Sequence, residues 1–65
     1  MQLKLNGELE EVEATTVAEL LKEVNAPSTG IAIALNGSVV RRAQHWSTPL
    51  QEGDEIEIIR AVQGG

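Results

Sequence analysis

The chain contains no cysteine, tyrosine or phenylalanine, and only one tryptophan and one histidine among its 65 residues. Without cysteine, neither a disulfide nor a thiolate metal site can hold a small domain together. A chain of this size buries only about 60% of the surface its unfolded form exposes, so its aliphatic residues must build an efficient core unaided. Basic residues are scarce too: five Lys and Arg stand against ten Asp and Glu, for a formal net charge of −5. That balance argues against nucleic acid as a partner, where a basic footprint supplies most of the affinity. It argues equally against anionic membrane surfaces, and a partner with a basic groove suits it better. Long hydrophobic runs are also missing. The longest, Ile31 to Leu35, is far too short to span a bilayer. Met1 leads straight into an alternating pattern with no basic or apolar leader, so the cytoplasm is the expected compartment.

Catalytic material is equally thin. His45, beside Trp46 on a short turn, reads as a surface residue rather than a base, and the several His or Cys ligands that zinc needs are missing. Glu8, Glu10, Glu11 and Glu13 read as a solvated strand face, and Glu52, Asp54, Glu55 and Glu57 as turn and surface charge. The glycines lack the spacing of a phosphate loop. The expectation is a protein that is not an enzyme, with no metal site and no bound cofactor.

What is present is a clear order of elements. Leu3 and Leu5 alternate with polar neighbours, the period of a half-buried strand. Asn6-Gly7, the favoured pair for a tight hairpin, predicts a return strand over Glu8 to Glu13. Leu9 and Val12 break its alternation, which suggests a bulge. Thr16-Val17-Ala18-Glu19 has the form of a capping box. Val17, Leu20, Leu21 and Val24 then form one apolar helical stripe, which Asn25 and Pro27 end. Ile31 to Leu35 predicts a strand with Ile and Leu on one face and only alanine on the other. Asn36-Gly37 turns it into a strand over Ser38 to Arg42. A short helical turn over Ala43 to Trp46, an irregular stretch to Leu50 and a bend at Gly53 lead into Glu55 to Arg60, with Ile56 and Ile58 pointing inward.

One mixed sheet of about five strands, with the single helix packed across it, buries all these side chains. Its first and last strands would lie parallel in the centre, which is an α+β, β-grasp architecture. Residues 1–60 are the expected domain and 61–65 a flexible tail. Trp46, the sole aromatic, is expected to plug the core at the open end of the sheet. The tail, Ala61-Val62-Gln63-Gly64-Gly65, is expected to be the working end. A terminal glycine carboxylate has no Cβ, so an enzyme can enclose it in a narrow channel and approach it from either side. Adenylation would turn this poor electrophile into a mixed anhydride open to a sulfur or nitrogen nucleophile, with the positioning supplied by a partner.

Three stretches carry a family resemblance: Leu35-Asn36-Gly37-Ser38-Val39-Val40-Arg41-Arg42 with Trp46; Leu50 with Gly53-Asp54-Glu55-Ile56-Glu57-Ile58-Ile59; and Ala61-Val62 with Gly64-Gly65. On these residues the chain resembles, over essentially its whole length, the ThiS family of thiamine-biosynthesis sulfur carriers. The specific part is the spacing from Asn36-Gly37 through Gly53-Asp54 to the terminal pair. Where the family often reads Val-Pro-Arg, this chain has Val40-Arg41-Arg42, which should loosen the local backbone and leave a strand amide free.

The resemblance implies that a ThiF-like adenylyltransferase uses ATP to adenylate the Gly65 carboxylate. A persulfide sulfur donor enzyme would then convert it to a thiocarboxylate, and thiazole synthase (ThiG) would take the sulfur. It also implies a docking face. Ala32, Ala34, Ile59 and Val62, with Arg42, are the expected partner-binding residues. The small subunit of molybdopterin synthase resembles the same fold and tail, in longer chains. Two further rivals stay open: a protein modifier forming isopeptide bonds, and a non-covalent β-grasp interaction module with an idle tail.

Overall fold

Two Asn-Gly pairs lay down the sheet of the computed structural model, which describes residues 1–27 and 30–60. Asn6 and Gly7 take φ of 51° and 85°, and Asn36 and Gly37 take 51° and 87°. Two successive positive φ values make a type I′ turn, whose twist matches that of the strands it joins. The first turn connects β1 (Gln2–Leu5) to β2 (Glu8–Glu11), and the second connects β3 (Ile31–Leu35) to β4 (Ser38–Val40). β5 (Glu55–Arg60) enters between the two hairpins, parallel to β1 and antiparallel to β3, giving the order β2-β1-β5-β3-β4. This is the five-stranded mixed β-grasp sheet expected from the sequence, with its first and last strands side by side.

The β1–β2 ladder runs without interruption from Leu5 opposite Glu8 to Gln2 opposite Glu11, so the expected bulge is not there. Leu9 lies opposite Lys4 on the face away from the core and is 67% exposed. Val12 lies just past the strand and is buried. The irregular spacing therefore comes from one apolar residue on the outer face and one beyond the ladder.

The helix, α1 (Val17–Glu23), starts at Thr16, which has an extended backbone and whose side-chain oxygen accepts the Glu19 N–H at 3.2 Å. Glu19 does not simply close the box on the cap residue. Its carboxylate takes its short hydrogen bonds, both 2.8 Å, from the N–H and hydroxyl of Thr15. At the other end Asn25 takes φ 58°. The Ala26 N–H then reaches the Leu21 carbonyl and the Asn25 N–H that of Lys22, a Schellman ending with asparagine in the left-handed position.

Between helix and sheet lies an aliphatic core. Leu3 from β1, Ile33 from β3, Ile56 from β5, and Val17 and Leu20 from α1 are fully buried. Each such Val, Leu or Ile contributes about 1.5–3 kcal/mol relative to exposure. Val12, Ala14, Leu21 and Leu50 complete the cluster.

Trp46 does not belong to it. The ring is 65% exposed, and the buried member of the pair is His45, at 8%. Both sequence expectations are thus reversed, for a local reason. Arg42–Gln44 form one 3-10 turn with His45 as its C-cap, and the His45 carbonyl accepts the Ala18 N–H of α1 at 3.0 Å. That tie draws His45 against the helix and leaves the next side chain outside.

Candidate functional site

β5 is the strand from which residues 61–65 continue, so the site is built outward from it. Its neighbours hold it along its length. On one side Ile56 to Arg60 pair with β3, and the last of these pairs is Arg60 with Ile31. On the other side only Lys4 and Leu5 of β1 pair with it, opposite Glu55 and Ile56. The Asn6 side chain then prolongs this short ladder, its Oδ1 accepting the Ile58 N–H at 2.8 Å. Asn36 does the corresponding work at the start of the strand. Its Oδ1 accepts the Glu55 N–H at 2.9 Å, and its Nδ2 donates to Asp54 at 3.1 Å. The first part of the spacing that carries the resemblance, from Asn36-Gly37 to Gly53-Asp54, is thus realised as direct hydrogen bonds that set the entry of β5. The part that runs on to the terminal pair lies outside the described residues.

The register decides what the open face of the sheet presents. Ile59 lies opposite Ala32, Glu57 opposite Ala34, and Ala34 opposite Val39 on its other side. Cross-strand partners share a face, so Ala32, Ala34, Ile59 and Val39 form one contiguous apolar patch beside the end of β5. Ile59 is 53% and Val39 76% exposed. Small residues on β3 leave the centre of the patch shallow, with the two larger side chains standing on its flanks. Lys4 and Glu55, 3.8 Å apart, border it with charge. An ion pair this exposed contributes about 0–1 kcal/mol, so its place in the site is as a polar rim.

Of the sequence-chosen docking residues, the structure brings together Ala32, Ala34 and Ile59. Arg42 is not with them. It lies past the end of β4 and lines a groove on the helix side of the sheet, with Trp46 and Lys22. Val62, Gly64 and Gly65, and with them the tail 61–65, lie outside the described residues. Val39 was missed. A two-residue hairpin at Asn36-Gly37 fixes Val39 opposite Ala34, so the register implied by the turn was the signal that would have found it.

Arg41, where the family often has proline, keeps a proline-like backbone at φ −68° and ψ 147°. Leu35–Ser38 and Ile33–Val40 are alternate pairs of the hairpin, with Ala34–Val39 between them. In such a ladder hydrogen-bonded pairs start at the turn and alternate, so the N–H of residue 41 points to the free side of the edge strand.

Nothing among the described residues converges for catalysis or metal binding. No group of three or more His, Asp or Glu among them is placed to hold a metal ion. No helix among them is long and apolar enough to cross a membrane. Three open grooves among the described residues have volumes of about 230 to 300 Å³.

A β-grasp domain with an exposed apolar patch beside a central strand that leads in sequence to a diglycine has the architecture expected of a small carrier protein. Comparison with known proteins gives the family. The ThiS family model matches residues 3–65, and the chain belongs to the ThiS family. The sulfur carrier protein ThiS of Thermus thermophilus is 34% identical over 61 residues, 94% of this chain and 95% of that protein. The crystal structure of the thiamine biosynthesis protein ThiS of Geobacter metallireducens matches with a TM-score of 0.87 at 29% identity, over all of both chains. A thiazole synthase of Magnetococcus marinus is 36% identical over 66 residues, which cover all of this chain but 20% of that protein. The chain is thus a sulfur carrier of thiamine biosynthesis.

Proposed function

We propose that this chain carries sulfur as a thiocarboxylate on Gly65. The observation that carries the proposal is the family match, which extends through Gly64 and Gly65 to residue 65. In this scheme a ThiF-like adenylyltransferase binds ATP, and the Gly65 carboxylate attacks the α-phosphate with release of pyrophosphate. The outer sulfur of a cysteine persulfide on the donor enzyme then attacks the acyl carbon and AMP leaves, giving an acyl disulfide. A second thiol of that enzyme attacks the S–S bond, which frees the Gly65 thiocarboxylate and leaves a disulfide on the enzyme. The carrier itself binds no cofactor or metal. Its cargo sits on the backbone terminus, which suits a chain with no thiol of its own.

Thiazole synthase is the proposed recipient. The similarity of this chain to a fifth of a thiazole synthase supports that pairing, since a carrier-like segment there accompanies the enzyme. The open face supplies the grip: Ala32, Ala34 and Ile59, together with Val39, would seat on the partner while Val62 and the diglycine enter its channel. We place the reaction in the cytoplasm, where ATP is at hand.

Intact mass spectrometry tests the scheme. The chain is incubated with ATP, a ThiF-like enzyme and a persulfide donor. The expected product has one terminal oxygen replaced by sulfur, and deletion of Gly65 abolishes it. An unchanged mass, with the same enzymes active on another ThiS protein, overturns the proposal.

A further inference from the structure

The chain's only aromatic residue stands mostly in solvent, beside two basic side chains of an acidic protein. Trp46 borders a groove of about 280 Å³ whose floor is made by Ala18, Leu21 and His45, all of them buried. Lys22 of α1 places its ammonium 5.5 Å from the indole centroid, within the range of a cation–π contact. Arg42 lines the same groove, and Arg41 precedes it in sequence. Two of the five Lys and Arg residues, Lys22 and Arg42, thus line this groove, in a chain of net charge −5.

The nearby acids of α1 are engaged elsewhere. Glu19 accepts from Thr15, and Glu23 accepts from the N–H groups of Glu13 and Ala14 at 2.9–3.2 Å. Among the described residues, Lys22, Arg41 and Arg42 take part in no ion pair. An exposed tryptophan beside arginine, over an apolar floor, is the composition of a binding hot spot. Lys22 also offers its ammonium beside the ring face, so cation and apolar surface are presented together.

We infer that the Trp46 groove is a second docking surface, which takes an acidic peptide segment with an apolar anchor from a partner protein. The anchor packs on Trp46 and the Ala18–Leu21 floor while its flanking carboxylates meet Lys22 and Arg42. This surface lies on the helix side of the sheet, away from the open face, and a partner held there leaves Ile59 and Val39 uncovered.

Because Trp46 is the only tryptophan, its fluorescence reports on this groove alone. The probe is a mixture of capped hexapeptides in which Leu or Ile is flanked by Asp or Glu, with a Lys/Arg-flanked mixture as control. The acidic mixture is expected to give a saturable change that weakens in about 0.5 M salt, as a contact between exposed charges must. The double variant Lys22→Glu/Arg42→Glu should bind at least about tenfold more weakly. The milder Arg42→Gln should fall between it and the parent, and Ile59→Ala on the open face should bind as the parent does. Absence of a response to the acidic peptides, an equal response to the basic ones, or unchanged binding by both groove variants overturns the inference. Circular dichroism of each variant separates these results from unfolding.

Discussion

Single side chains do much of the joining in this small domain, and Glu19 shows how. Its carboxylate accepts from the Thr15 backbone and hydroxyl, and these hydrogen bonds hold its pKa below the ordinary glutamate value of 4.5. A depressed folded-state pKa stabilises the fold fully above the ordinary value, and that contribution is lost as pH falls through the folded value. Glu19→Gln is therefore expected to be less stable than the parent at pH 7, with the difference narrowing as pH drops below about 4.5. Urea unfolding at a series of pH values checks this, and a difference constant across the series would contradict it. At this scale the sequence was partly legible. The cap at Thr16 and the stop at Asn25 follow from residue chemistry and appear as expected. His45 and Trp46 do not, because neighbours on a 3-10 turn point in different directions. Only the bond from the Ala18 N–H to the His45 carbonyl decides which of them faces in.

Among the elements, the two hairpins were readable because Asn-Gly demands one turn type, and that turn fixes the register. The same register, carried two residues further, puts Val39 on the open face, a step that needs cross-strand pairing and not merely alternation along one strand. It also bears on Arg41. A residue with proline-like dihedrals, an outward N–H and an extended neighbour before it can accept proline without strain. Arg41→Pro should raise stability by about 0.4–1 kcal/mol, chiefly by restricting the unfolded chain. Thermal unfolding measures it. A fall in the midpoint would mean that the amide is used in the fold after all. The expected bulge in β2 is missing for a related reason: an apolar residue on an outer face looks, in sequence, like a break in the pattern.

For the molecule as a whole, the core and the contact surfaces make separable demands. Ile59 contributes little to the core, being half exposed on the face opposite α1. Ile59→Glu is expected to change unfolding free energy by no more than about 0.5 kcal/mol. It should nevertheless lower kcat/KM for sulfur transfer from the thiocarboxylate form to thiazole synthase by about tenfold or more, as loss of an interface anchor does. Equal kinetics for variant and parent would remove the open face from the proposed docking. The architecture was legible as a whole because few arrangements bury so many aliphatic stripes in so short a chain. The carrier family was legible from the spacing that leads to the diglycine, since two glycines alone carry no address. The central position of β5 has a mechanical consequence. A pull directed along β5 loads the strand in shear against β1 and β3 together. The rungs on both sides then resist at once, whereas a pull across a hairpin would open them one at a time. A load in that direction therefore meets the rungs together and does not peel them in turn.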